Sequence, residues 1–530
     1  MPSKPKFEVY AYTHEKLLDL LAANSEASRE VVGKKPHATY FEEYFQNVHP
    51  ETILVEHNYI DRDFLEDYSS FYVRCFHDYK SICTRLHFFS SVFTKPVFDA
   101  ALRGQRDGAF KESLRNGYLG FIVVKPLPRS VIGRTCLKPY PSAGHRYFPI
   151  LRPYDVSLFG IPLKVEETLA FQEQDTVAAA CATSALWSTF QGTGMKFQHR
   201  IPPPVEITKA ALARFPMDER DLPNHGLRGW QMAHAISSVG LEPFPVNIND
   251  PVSNEFCLQS SAYAYLNGGI PVPLLIHLHD LAAGKDVGGH AVAITGFSLG
   301  RPAPVAYGNF DFLLKASRID KLYAHDDGVG PFARMELRTW QNHPVSGAPF
   351  QSPVLALTTS WQDCNGALGN VYALPDSLLL PLYHKIRIPF RTALQVIRAF
   401  DEFTRLGQVA AALSLPARIE WDIYLTEVND VKQEVAGSGT LPGAYRRDVL
   451  LEPMPKYIWR GTAEANGMKI LDVLLDATDI EQGPLMVRAI EYDQNVGAAL
   501  RQLTKTDVIM KPYESYPVWA LLNWFADQGI

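Results

Sequence analysis

In this chain of 530 residues, one cysteine has the setting of a nucleophile. Cys181 lies in QEQDTVAAACATSALWSTFQGTG (172–194), where a polar, turn-prone start gives way to a run of good helix formers. Gly192 and Gly194 read as the stop of that helix. Cys181 therefore falls in the first turn, where unpaired backbone N–H groups and the helix dipole favour an anion. A thiolate is such an anion, and a helix N-terminus lowers a cysteine's pKa. A second segment supplies a base. In GGIPVPLLIHLHDLAAGKDVGGHAVAITGFSLG (268–300), IPVPLLIHL and HAVAITGF read as strands. His290 opens the second of them, after two glycines that allow another backbone to approach closely. A third segment, RIDKLYAHDDGVGPF (318–332), reads as a strand ending in an acidic turn. Either Asp326 or Asp327 can fix the tautomer of His290 and stabilise its imidazolium.

His277 and His279 alternate on the IHLHD strand and are expected on one face. With His290 and Asp326 they would form a His₃-Asp metal site. The preferred expectation is that they line the cleft and that the chemistry needs no metal and no cofactor. His325 is expected to be structural. Trp187, Trp230, Phe71, Tyr72, Phe76 and Tyr79 are expected in the core.

The order of a cysteine-led helix, a GGH strand and a strand ending in HDD resembles the papain-like cysteine peptidase superfamily, in particular its double-glycine-peptidase-like branch. The similarity covers about residues 165–335. It implies Cys181 as nucleophile, His290 as base, Asp326 as orienting acid and Gln174 as the oxyanion-hole glutamine. Gln174 stands seven residues before Cys181, where the family usually has six, and Asp175 takes the usual place. Gln172 remains the alternative. The His290–Asp326 separation of 36 residues implies an insertion around RPAPVAYGNFDF. The implied activity is a thiol protease cleaving a specific protein or peptide. An acyl transferase or transglutaminase-like enzyme on the same triad, or a non-catalytic peptide-binding module, are the alternatives. A stress or anti-phage (antiviral) defence role and a regulatory protein partner are further expectations of the resemblance.

These residues need elements to hold them. The expected fold class is α+β: a mainly helical region over 1–115, a strand and basic Pro-rich connector over 116–160, a papain-like catalytic domain over 161–345 and an α+β region over 346–530. RDFLEDYSSFYVRCFHDYKSICTRLHFFSS spaces its apolar residues as a buried helix does. Arg129, Arg134, Lys138, Arg146 and Arg152 read as a solvated linker or as a docking surface for an acidic partner. PFRTALQVIRAFDEFTRLG reads as a helix. ARIEWDIYLTEV, KYIWRGTA and KILDVLLDATD read as strands, the last two joined by an EANG turn. NHPVSGAPFQSP (342–353) is the expected boundary before the last region. A net charge of −6 supplies no global field for nucleic acid. No apolar run reaches 18 residues, so no membrane span is expected. The six cysteines form no C-x-x-C pair, which fits reduced thiols in a cytoplasm.

Overall fold

The computed structural model describes residues 6–105, 108–175, 180–213, 226–248, 254–307, 311–340, 354–415, 417–481, 484–514 and 516–528. Helix and strand are mixed throughout, an α+β arrangement. Two compact units form, each from several pieces of chain. The first holds Met1–Asn254, Gly269–Ser298 and Lys321–Pro381, and the second holds Glu255–Gly268, Leu299–Asp320 and Leu382–Ile530.

The first unit contains a five-stranded antiparallel sheet in the order Phe7–Ala11, Thr52–Tyr59, Cys83–Phe89, Tyr118–Val124 and Ile132–Leu137. This corrects two expectations. The stretch 62–91 is not one helix: it is a helix at Arg62–Ser70, a single 3-10 turn at Tyr72–Arg74, and the central strand Cys83–Phe89. That strand is buried along its whole length. A strand covered on both faces is apolar without alternation, so its period is hidden. Phe76 lies past the last helical turn and is fully exposed, while Tyr72 is buried. The basic 116–160 connector is also corrected. Ile132–Leu137 is the fifth strand, and Arg134 on it is ion-paired with Asp63 at 2.7 Å and Asp61 at 3.4 Å, largely out of solvent.

Six further strands of this unit pair in a closed antiparallel ring: Val272–Asp280, Lys285–Ser298, Lys321–Asp326, Gly330–Trp340, Val354–Thr358 and Val371–Leu382, which returns to Val272–Asp280. Closure leaves no free edge within the ring. The strands at 354–358 and 371–382 complete it, so the first unit runs well past the boundary expected at 345. The 342–353 stretch itself lies outside the described residues. A helix, Cys181–Phe197, packs against the ring: Trp187 and Phe190 share one core with Ala291 and Ala293 of the histidine strand and with Leu54, Phe121 and Cys136 of the five-stranded sheet. The Trp187 indole donates to Asp63 Oδ2 at 2.7 Å, the carboxylate that also binds Arg134.

The helix continues through both glycines that were expected to end it, and the left-handed Gln198 caps it instead. The glycines serve contact. A Cβ on Gly192 would stand 2.6 Å from Pro271 Cγ, and one on Gly194 would stand 2.5 Å from Ile201 Cγ1. Trp230 is 41% exposed, against the expected core position. Met232, Ala235 and Ile236 form the buried side of its helix, and position 230 falls opposite them at helical spacing.

The second unit has a six-stranded sheet: Ala306–Tyr307, Phe312–Leu314, Glu420–Glu427, Tyr457–Ala465, Met468–Asp476 and Met486–Glu491. Its first two strands come from the insertion between His290 and Asp326, which accounts for that long separation. The EANG turn is present, with Asn466 and Gly467 both at positive φ between the paired residues Ala465 and Met468. The helix Phe390–Thr404 forms where its period predicted it. This unit has its own core, including Val431, Val435, Ile458, Leu474 and Ile490.

Gly192→Ala tests the packing account. Alanine gains about 1 kcal/mol of helix propensity. Overpacking against the rigid Pro271 ring costs about 1–3 kcal/mol. Urea unfolding should therefore show a net loss of stability, and a gain would show that Gly192 is not a contact residue.

Candidate active site

The three sequence-derived residues meet in space. Cys181 is the first residue of its helix. Ala180 before it is extended and offers no side-chain cap, so the first-turn N–H groups remain available beside the sulfur. His290 sits within the strand Lys285–Ser298, cross-strand from Ile276, and not at its start. Nothing approaches its preceding glycines: a Cβ on Gly288 or Gly289 would meet open space. Gly288 is there for its φ of +113°.

His290 Nε2 stands 3.1 Å from Asp326 Oδ1, and the Cys181 side chain is near enough to the imidazole to favour its protonated form. With Nε2 turned to the carboxylate, Nδ1 is the nitrogen left for sulfur. Asp326 is fully buried at the end of Lys321–Asp326. Its Oδ1 also accepts from Gly328 N at 2.9 Å, and its Oδ2 accepts from the Trp361 indole at 2.8 Å. Burial opposes charge on both partners, yet they hold each other ionised. His290 is carried well above its ordinary pKa by the charge and hydrogen bond of Asp326, the Cys181 side chain and the charge of Asp327. Asp326 is pushed up by burial but held below the usual carboxylate range by His290, Gly328 and Trp361. Asp327 Oδ1 is farther from His290 Nε2, at 3.9 Å. Of the two acids, Asp326 is the one bonded to the imidazole.

Gln174 is half-buried, and its carbonyl accepts from Ser130 Oγ at 2.7 Å. Among the described residues no hydrogen bond joins its side chain to Cys181 or His290. Gln172 is buried with its amide nitrogen unpartnered among the described residues. Asp175 accepts from Tyr72 OH at 3.2 Å. Residues 176–179, between these and Cys181, lie outside the described residues.

His277 is exposed, while His279 is buried against Trp340. Among the described residues neither joins the group of donor atoms that His290 and Asp326 form. His290, Asp326 and Asp327 do bring donor atoms within 4.8 Å of one another. However, both Asp326 oxygens already hold donors, one of them the His290 imidazole, so the cluster reads as a hydrogen-bonded group of side chains. His325 is structural: it bonds Leu169 O at 3.0 Å and accepts from Phe332 N at 3.1 Å, and burial lowers it to about 4.

Trp361 was not anticipated. It stands 35 residues beyond Asp326 in a turn between two ring strands, and nothing local marks it as a triad partner. It also lines a groove of about 430 Å³ with Pro36, Leu278, Val287, Gly328 and Val371. Among the described residues no helix is long and apolar enough to cross a membrane. Compared with protein-family models, curated proteins and solved structures, the chain matches none.

Cys181 should react first when iodoacetamide is limiting. Burial pushes Cys136 up to about 12 and Cys83 higher still, and desolvation with the Asp280 hydrogen bond raises exposed Cys364. Mass mapping that finds Cys364 labelled first would remove Cys181 as the nucleophile. Trp361→Phe should cost about 1–3 kcal/mol in chemical denaturation, because it leaves a buried carboxylate oxygen without its donor. A neutral result would deny Trp361 that role.

Proposed function

We propose that this chain is a cysteine peptidase with a papain-like catalytic domain in its first unit, using Cys181, His290 and Asp326. The observation that carries the reading is the meeting of a helix-N-terminal thiol with an imidazole that is hydrogen-bonded to a fully buried carboxylate. A helix packed on a closed antiparallel ring, with nucleophile on one and base on the other, also fits the resemblance.

In this reading the proton from Cys181 rests on the His290 imidazolium, and the thiolate attacks the carbonyl of a peptide substrate. Charge that develops on the carbonyl oxygen faces the first-turn N–H groups of the cysteine helix. Gln174 or Gln172 would add a side-chain donor. The imidazolium then protonates the leaving amine as the C–N bond breaks, which leaves a thioester on Cys181. Water, deprotonated by His290, releases the acid and restores the thiol. Asp326 takes no proton; it orients the ring and stabilises its charge. The groove that runs past Gly328 and Trp361 gives an extended substrate a place beside the triad.

The test uses an activated ester, p-nitrophenyl acetate, which needs no knowledge of the natural substrate. Wild-type protein should release nitrophenol in a burst and carry an acetyl group on Cys181 by mass. Cys181→Ala and His290→Ala should abolish the burst. Asp326→Asn should lower its rate by about 10²-fold, since it keeps the shape and loses the charge. A burst that survives Cys181→Ala would sink the reading. Acceleration of deacylation by added amines, with slow release into water, would move it to acyl transfer.

A further inference from the structure

The buried cluster behind His290 holds one more carboxyl than the triad requires. Asp327 is 4% exposed, and among the described residues neither of its carboxylate oxygens has a hydrogen-bond partner. Leaving such a group unpaired costs about 1–3 kcal/mol, so it is poorly explained as scaffolding. What it does face is charge. His290 Nε2 lies 3.9 Å away on the neighbouring strand. Asp326 precedes it, and Glu173 approaches from the segment before the cysteine helix, ion-paired with Lys35. His37, on the helix Pro36–Val48, packs against its main chain; this ring is also buried, with neither nitrogen partnered among the described residues.

We propose that Asp327 is a positioning residue of the same site: a second buried carboxyl, with no side-chain partner among the described residues, whose charge selectively stabilises the imidazolium form of His290. The inference rests on the cysteine-peptidase reading and adds to it. Asp327 touches neither substrate nor sulfur. It acts through His290, the residue that must carry positive charge between taking the thiol proton and giving it to the leaving amine.

Burial raises the Asp327 carboxyl to about 7, with the His290 charge opposing and those of Asp326 and Glu173 adding. The sign follows. In mildly acid solution Asp327 is neutral and adds nothing to His290. Once its proton has passed to solvent, its negative charge beside Nε2 holds the imidazolium to higher pH. Asp327→Asn has the same shape and is neutral at every pH. It should behave like wild type in mild acid and differ in mild alkali.

The experiment follows the His290 ring nitrogens by NMR in the full chain with ¹⁵N-histidine, the signals being assigned by their loss in His290→Gln. The deprotonation midpoint of His290 should fall by about one pH unit or more in Asp327→Asn, as expected for losing a unit charge about 4 Å away. Equal midpoints would overturn the proposal. If Asp327→Asn does not fold, the wild-type curve decides. A second inflection in the neutral range, while the ring is still protonated, supports the proposal; a single-step curve overturns it. Iodoacetamide labelling of the same samples separates the two ideas. Fast labelling of Cys181 with unshifted midpoints overturns Asp327 alone. Slow labelling of Cys181 overturns the peptidase reading, and with it the catalytic meaning of Asp327.

Discussion

A single buried carboxylate, Asp326, organises the candidate site. A charge with no exposure is tolerable only if its oxygens are occupied. Those of Asp326 are held by an imidazole, a main-chain N–H and an indole, drawn from three separate places in the chain. Each partner is constrained in return. His290 is held in one orientation, with Nδ1 left toward Cys181. The 326–328 turn is closed by its own aspartate. The loop carrying Trp361 is tied to the ring at the point where the groove begins.

The rest of the first unit can be understood as support for that carboxylate and its imidazole. The closed ring pairs the strand of His290 directly with the strand that ends in Asp326, with no edge along which the two can slip. The cysteine helix must then meet the ring at a fixed depth. Gly192 against Pro271 and Gly194 against Ile201 set that depth, since any side chain there would push the helix outward. Behind the helix, Trp187 and Arg134 converge on Asp63, which binds the helix to the five-stranded sheet through a second buried carboxylate. Burial raises the Asp63 carboxyl, and the Arg134 charge, the indole and the Arg62 charge restrain it. Two buried acids, each satisfied by an indole, thus stand on either side of the structure that carries the thiol.

The residues of the candidate site were legible in the sequence because their signals are local. A cysteine opening a run of helix formers, a histidine in a run of β-branched and apolar residues, and an aspartate at the end of a strand each depend on only a few neighbours. The same holds for the helix at Phe390–Thr404 and the Asn-Gly hairpin after Ala465. Choosing between Asp326 and Asp327 was beyond such signals. Adjacent residues on a strand end face opposite ways, and only the register against the histidine strand decides which one meets the ring.

What the sequence determined by itself was the set of candidate site residues and the elements carrying most of them, since both follow from residue type and short-range period. Tertiary structure decided the rest. It buried Arg134 in a sheet, where its surroundings read as a linker. It carried the first unit past residue 345, because the strands at 354–358 and 371–382 close a ring begun at residue 272. It left His277 exposed while burying His279 against Trp340, and it brought Trp361 to Asp326. Each of these is a pairing between distant parts of the chain. A pairing at such range is selected by the shape and polarity of a partner surface that does not exist until the chain has folded, so it leaves no periodic mark on either segment.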